Sequence, residues 1–414
     1  MTTADTPAGG CLLCGTQLLT PIAPDLRLAC VSSDAFPLAQ QAAFAVCPVC
    51  GMIQKVRDDA WNTAVAAIYA NYKVYPLETV QTHLMFSNTG AAKPRSLILA
   101  EQLAQAVSLP QRGRLLDIGC GNGDFLHSFK QVRPEWEVCG FERSEASRAA
   151  LEAHLPGVRF YSGSLDAIAD RFDCLTLNYV IEHLFEPVAM LRQMQGLLSP
   201  GGGIFVQTTS FQRNPFDLVI MDHCAHFTPE TVAQAGVRAG LRLTASSNGW
   251  LEKEIGWYAQ PAETPLAAGP DPLAARAAQD CERMVRWLKK FPETVRQAAA
   301  GRPLGIFGTA IAGTWLAGVM PGEVAFFVDE DPQRQGQRHL GLPILAPQDT
   351  PTAAAVVLAF PAGIAAAIAA RLEKNGFDFA KILPPAFEEP PLGGKKRWNA
   401  RIKNTNEPRH ENKH

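Results

Sequence analysis

Residues 115–124 read Leu-Leu-Asp117-Ile-Gly119-Cys-Gly121-Asn122-Gly123-Asp124, an apolar run, an acid, then glycines at alternate positions. The pattern predicts a buried strand, a tight glycine loop and the start of a helix. In an α/β sheet such a loop lies at the carboxyl end of its strand, where ligands bind. Glycine there lets backbone approach a ligand that a Cβ would hold away. The third glycine of a dinucleotide fingerprint would fall at Asp124, so the spacing disfavours NAD. Glu142 ends the next strand pattern, Glu137 to Glu142, and a carboxylate there accepts both hydroxyl protons of a ribose. Ser164-Leu165-Asp166 follows a third strand pattern, and Asn178 ends a fourth. Asp166 either accepts from an adenine amino group or caps the next helix.

Two other sets of side chains carry chemistry. Cys11-x-x-Cys14-Gly and Cys47-x-x-Cys50-Gly repeat one knuckle. Two thiolates from each knuckle suit a tetrahedral zinc ion, and four protein ligands leave no open position, so the ion is structural. Asp222, His223 and His226 stand just before Thr228-Pro229-Glu230, a good helix start. They follow a fifth strand pattern, Ile204 to Thr208, and form a polar cluster expected beside the ligand. A histidine base oriented by a carboxylate is the economical reading, with Asp222 beside His223. A metal held by Asp222, His223 and His226 lacks a fixed spacing.

The elements that must position these groups fill a chain of 414 residues, long enough for two or three domains. Zinc-module residues 1–57 precede a helical lead-in over 58–110. The lead-in carries Trp61, Val65, Ile68 and Tyr69 at helical spacing, with Tyr72 and Tyr75 beyond. Alternating strands, helices and Gly/Pro turns over 111–250 predict a doubly wound Rossmann-like sheet. Residues 251–302 read as a linker and helix, and 303–388 as a smaller Rossmann-like α/β domain whose glycine loop, Gly308 to Gly313, suits substrate phosphate. From Lys395 the end of the chain carries seven Lys/Arg against two Glu, and 389–414 reads as a basic disordered tail. The net charge of −2 gives no field for nucleic acid. The uncharged run Ala353 to Ala370 is broken by Pro361 and Gly363, so it reads as a strand and an alanine-rich helix, not a membrane span. The first residues have neither a basic nor an apolar signal region, and six lone cysteines fit reduced thiols; both point to the cytoplasm.

Asp117-Ile-Gly-Cys-Gly-Asn-Gly123 resembles the first motif of class I S-adenosylmethionine (SAM)-dependent methyltransferases. Asn178-Tyr-Val-Ile-Glu-His-Leu-Phe-Glu-Pro187 and Leu197-Leu-Ser-Pro-Gly-Gly202 resemble later motifs of that class. Together with Val46-Cys-Pro-Val-Cys-Gly-Met-Ile-Gln54 and Phe327-Val-Asp-Glu-Asp-Pro332, the order of parts resembles the three-part sugar C-methyltransferases that act on nucleotide-linked 4-keto deoxysugars. The likeness spans about residues 11–385. It implies SAM held by Asp117, Gly119, Gly121, Asn122, Gly123, Glu142, Leu165, Asp166 and Asn178, with zinc on Cys11, Cys14, Cys47 and Cys50. It also implies His223 as general base with Asp222 beside it, His183 as a second active-site histidine, and Tyr72 or Tyr75 facing the substrate. The chain departs from that pattern at Ile220-Met-Asp222-His223, where the family usually has Tyr-x-Glu-His. The alternatives are an O- or N-methyltransferase of another metabolite, and a non-enzymatic zinc-knuckle adaptor retaining the donor-binding fold.

Overall fold

The computed structural model describes residues 9–71, 83–86, 91–264 and 274–385. Around the cysteine knuckles, strands Thr20–Ile22, Phe44–Val46 and Ile53–Lys55 form an antiparallel sheet. Its fourth strand, Ala225–His226, comes from far down the chain and pairs with Ile53 and Gln54. Strands Leu28–Val31 and Pro37–Ala42 make a separate hairpin. Helix α1 (Asp59–Asn71) starts where Asp58 Oδ1 accepts from the Trp61 backbone N–H at 2.8 Å. It buries Trp61, Ala64, Val65 and Ile68, a stripe at helical spacing. Tyr72 and Tyr75 lie outside the described residues.

The expected all-helical lead-in is interrupted. Strands Leu84–Phe86 and Ala92–Pro94 pair before α2 (Arg95–Ala106) begins. Pro94 disfavours helical backbone at Lys93, so the helix starts beyond it.

The central sheet has strands β1 (Arg114–Ile118), β2 (Glu137–Glu142), β3 (Arg159–Ser162), β4 (Phe172–Asn178), β5 (Leu198–Thr209), β6 (Leu241–Ser246) and β7 (Glu254–Pro261). Their order is β3-β2-β1-β4-β5-β7-β6. The first five run parallel, and β7 lies antiparallel to both β5 and β6. Leu115, Cys174 and Phe205 point into one core, with α2 and α3 (Asp124–Val132) supplying Leu99, Leu103, Phe125 and Phe129. Leu116, Leu175 and Val206 point into the opposite core, with Leu191 and Met194 of α5 (Pro187–Gln195) and Val232 of α6 (Pro229–Ala239). A short α4 (Arg148–His154) follows β2. Burial on both faces explains the unbroken apolar runs in these strands. Placing a boundary at 250 is corrected by β7. The run Ile255 to Ala259 is buried throughout and sits inside the sheet, so the connector begins after Pro261.

Helix α7 (Ala274–Ala299) leads into a six-stranded sheet of β8 (Leu304–Phe307), β9 (Val324–Val328), β10 (Arg338–His339), β11 (Leu342–Leu345), β12 (Ala355–Leu358) and β13 (Ala380–Ile382), in the order β10-β11-β9-β8-β12-β13. It carries α8 (Ile311–Val319) and α9 (Ala362–Lys374). Phe216 meets Trp287, Phe291 and Trp315 with ring centroids 5.8–6.1 Å apart, joining central unit, connector and C-terminal unit in one core. Among the described residues no helix is long and apolar enough to cross a membrane.

Candidate active site

At the carboxyl end of β1 the glycine loop turns through Gly119, Gly121 and Gly123, with φ of +76°, +54° and +87°. Gly119 also lies against Val180, and a Cβ there would sit 2.5 Å from Val180 Cγ2. Asp117 is buried at the end of β1, where its Oδ1 accepts from Thr176 Oγ1 at 2.6 Å and Asn178 Nδ2 at 3.1 Å. Burial pushes its carboxyl up to about 7, against the pull of those two bonds. Glu142 Oε1 accepts from the Gly121 N–H at 2.9 Å, and burial raises its pKa as well. Asn122 Oδ1 accepts from the Asp124 N–H at 3.3 Å. Thus Asp117, Gly121, Glu142 and Asn178 converge from the ends of three strands. Leu165 is buried nearby in the core. Asp166 does not cap a helix. Ser164 Oγ accepts from the Asp166 N–H, and the exposed Asp166 side chain accepts from Gln193 Nε2 at 2.6 Å.

Tyr179, next to Asn178, is a non-glycine residue at φ +56°. Its hydroxyl donates to Glu254, and the Arg95 guanidinium lies 4.1 Å from its ring centroid. Backbone held in this region is costly and clusters at functional sites. No spacing in the sequence signals it.

The histidine cluster is assembled differently from the expectation. His223 Nδ1 is 2.7 Å from Asp217 Oδ1, not bonded to Asp222. Asp217 Oδ2 is 2.6 Å from His226 Nδ1, so one buried carboxylate orients both rings. Residues 215–219 form a short 3₁₀ turn that carries Asp217 back onto the rings, a reversal no periodicity announces. Burial opposes ionisation of Asp217, but the two imidazoles outweigh it and hold its carboxyl well below the usual range. Burial pushes His226 down to about 4 against the pull of Asp217, and Lys55 adds to the fall. Lys55 is itself fully buried, donating to the Leu218 carbonyl at 2.7 Å with His226 Nε2 at 3.5 Å. His226 is therefore a strand residue of the cysteine module's sheet, locked between Asp217 and Lys55.

Asp222 serves His183. His183 Nδ1 is 3.0 Å from the Asp222 carbonyl, 3.4 Å from its Oδ2 and 3.2 Å from the Tyr69 hydroxyl. Ring centroids of His183 and His223 are 4.7 Å apart, edge to face. Glu182, buried in the turn after β4, completes the group, and burial raises its carboxyl to about 7. Sequence reasoning missed Asp217, Glu182, Lys55 and Tyr69. The Glu-His pair at 182–183 was visible in the motif, but the other three depend on contacts between distant segments.

At the knuckles, Cys11 and Cys50 Sγ are 3.5 Å apart, as are Cys14 and Cys47, and all four sulfurs lie within 4.8 Å of one another. A tetrahedral zinc with Zn–S of about 2.3 Å needs sulfurs about 3.8 Å apart, so the donor set fits a closed ion site.

Residues 92–246 match the family profile described as a methyltransferase domain. Over 152 residues the chain is 29% identical to the ubiquinone biosynthesis O-methyltransferase of Aeromonas salmonicida, covering 31% of this chain and 62% of that protein. It is 31% identical to the trans-aconitate 2-methyltransferase of Deinococcus radiodurans, covering 24% and 40%. The ubiquinone biosynthesis O-methyltransferase of Albidiferax ferrireducens is also 31% identical, over 26% and 46%. The chain spans about half the length of such curated relatives. Among solved structures, the mitomycin 7-O-methyltransferase MmcR aligns with TM-score 0.36 and 19% identity over 40% of this chain and 54% of that one. The SAM complex of the glycopeptide N-methyltransferase MtfA aligns at 0.33 and 18% over 40% and 86%. Likenesses that low carry no functional argument. Profile and strand order together define residues 92–246 as a class I SAM-dependent methyltransferase domain.

Proposed function

We propose that the protein is a SAM-dependent methyltransferase of a small-molecule acceptor, activated at the His183–His223 cluster. The observation that carries this reading is the contact of Gly119 with Val180. Val180 lies in the turn that bears Glu182 and His183, so the donor loop and the histidine cluster adjoin. The finer reading, from the sequence resemblance, is C-methylation of a nucleotide-linked 4-keto deoxysugar. A ketone acidifies its neighbouring C–H. His223 Nε2 takes that proton, while Asp217 holds the Nδ1–H tautomer and supports the imidazolium. The carbanion then forms a C–C bond to the methyl group as the donor's C–S bond breaks. Zinc on the four cysteines is structural in this reading, because its ligands leave no position for substrate.

The test is incubation with SAM and such a sugar, with NMR of the product. A new carbon-bound methyl and SAM-independent exchange of the α-proton in D₂O are expected. A methyl on oxygen or nitrogen supports the second reading, which the names of the O-methylating relatives favour. SAM binding without turnover on any acceptor leaves the adaptor.

A further inference from the structure

We propose that Glu182, His183 and His223 bind a single divalent transition-metal ion at the acceptor site. One carboxylate oxygen and one ring nitrogen of each histidine lie within 4.8 Å of one another. Glu182 is only 1% exposed, and neither of its oxygens has a hydrogen-bond partner of proper geometry among the described residues. The Thr208 hydroxyl beside it is likewise buried without one. A carboxylate taken out of water with nothing to accept from is costly unless a cation compensates it. His183 and the Thr208 hydroxyl lie beside Glu182 without a hydrogen bond of proper geometry, whereas Asp217 is paired with two histidines and Asp222 with Ser33.

The outer contacts have the form a metal site requires. Ligating histidines ordinarily donate their second ring N–H to a carboxylate or a backbone carbonyl, which fixes the tautomer. Here His223 Nδ1 meets Asp217 at 2.7 Å, and His183 Nδ1 meets the Asp222 carbonyl at 3.0 Å. The proposed ligand atom of each ring is therefore Nε2. Two imidazoles and one carboxylate select manganese, iron(II), cobalt or zinc over magnesium and calcium, and leave positions open for an acceptor oxygen. This cluster is separate from the four cysteines, whose soft thiolates form a closed set.

The inference rests on reading the cluster as the acceptor site and takes the place of the base role given above to His223. With the ion bound, His223 Nε2 is a ligand, the ion lowers the pKa of an acceptor bound to it through oxygen, and the proton is released to solvent.

The experiment uses the full chain with its cysteine-bound zinc retained and weaker ions removed by a short chelator wash. Mn²⁺ is titrated in and followed by the EPR signal of the free ion; Co²⁺ is followed by its visible spectrum. One equivalent should bind with nitrogen/oxygen rather than thiolate character. Glu182→Gln and His183→Gln should each weaken binding at least 100-fold, while SAM binding by calorimetry stays within about threefold and reports an intact fold. Asp217→Asn should weaken it about 10- to 100-fold through the ring it orients. No Mn²⁺ binding at 1 mM with zinc and SAM binding intact, or binding unmoved by Glu182→Gln, would overturn the proposal. Turnover by that metal-free protein would leave the methyltransferase reading standing, and absent turnover with metal bound would remove that reading alone.

Discussion

The Ser33 backbone N–H donates to Asp222 Oδ1 at 2.8 Å and the Ser33 hydroxyl to Oδ2 at 2.5 Å, across 189 positions of sequence. This contact is one of a set. Met221 N–H donates to the Val31 carbonyl, Trp61 Nε1 to the Met221 carbonyl, and His226 pairs with Ile53. The cysteine module thus clamps the segment that carries the histidines. The module thereby fixes the position of side chains next to the central domain.

Ser33→Ala removes a charge-assisted bond from a buried carboxylate, an interaction worth about 1.5–3 kcal/mol. Asp222 then holds His183 less firmly. Turnover should fall at least tenfold with SAM affinity unchanged. Unaltered turnover would show that the clamp does not aim the histidine.

With zinc on the four cysteines as proposed, Cys47→Ser, or prolonged chelation at low pH, should release it and loosen strands Phe44–Val46 and Ile53–Lys55. Because Ala225–His226 pairs with the latter, acceptor turnover should be lost while SAM still binds the central sheet. Metal content by mass spectrometry, amide exchange over 217–226 and calorimetric SAM binding check this. Unchanged exchange there would disconnect module and site.

Asp217→Asn should cost about 10²–10⁴ in kcat, the usual range for a disabled acid–base group, with SAM affinity preserved. Asp222→Asn should leave the His223 tautomer intact and act through His183. NMR of the ring nitrogens separates the two, and a His223 tautomer that changes in Asp222→Asn but not in Asp217→Asn would reverse the assignment.

Asp117 makes stability depend on pH in the direction opposite to a paired surface carboxylate. Its folded pKa is raised from 3.8 to about 7. Between those values the folded chain holds more protons than the unfolded one, so stability falls as pH rises and levels off above the folded value. The shift corresponds to about 4 kcal/mol in order of magnitude. Asp117→Asn should flatten the urea midpoint between pH 5 and 7.5, and an undiminished slope would place the effect elsewhere.

Gly119→Ala combines a left-handed backbone with a Cβ 2.5 Å from Val180 Cγ2. SAM affinity should drop at least tenfold, and the Glu182–His183 turn should shift with it. Calorimetry with both SAM and its demethylated product tests this, because a loop that only packs would leave both affinities unchanged.

The glycine loop and the side chains beside it were legible from residues 115–124, Glu142 and Asn178. Strand ends, glycine turns and acids at fixed offsets are local features, and a buried parallel sheet brings those offsets together. The knuckles were legible for the same reason, since a two-residue gap sets the sulfur spacing. The order of motifs also carried the α/β class and the methyltransferase character of residues 92–246.

The histidine cluster was not legible in that way. The chain places Asp222 next to His223, yet its carboxylate turns to Ser33 and His183, and Asp217 reaches His223 through a tight turn. Tyr69 and Lys55 enter only through packing between units far apart in sequence. By itself the sequence determined the glycine loop, the cysteine set and the presence of histidines after the fifth strand, because each depends on short-range geometry. Which carboxylate orients which histidine, and which acid is buried without a hydrogen bond among the described residues, was decided by tertiary structure. Hydrogen-bond satisfaction in a closed interior is a property of the whole assembly and not of any segment.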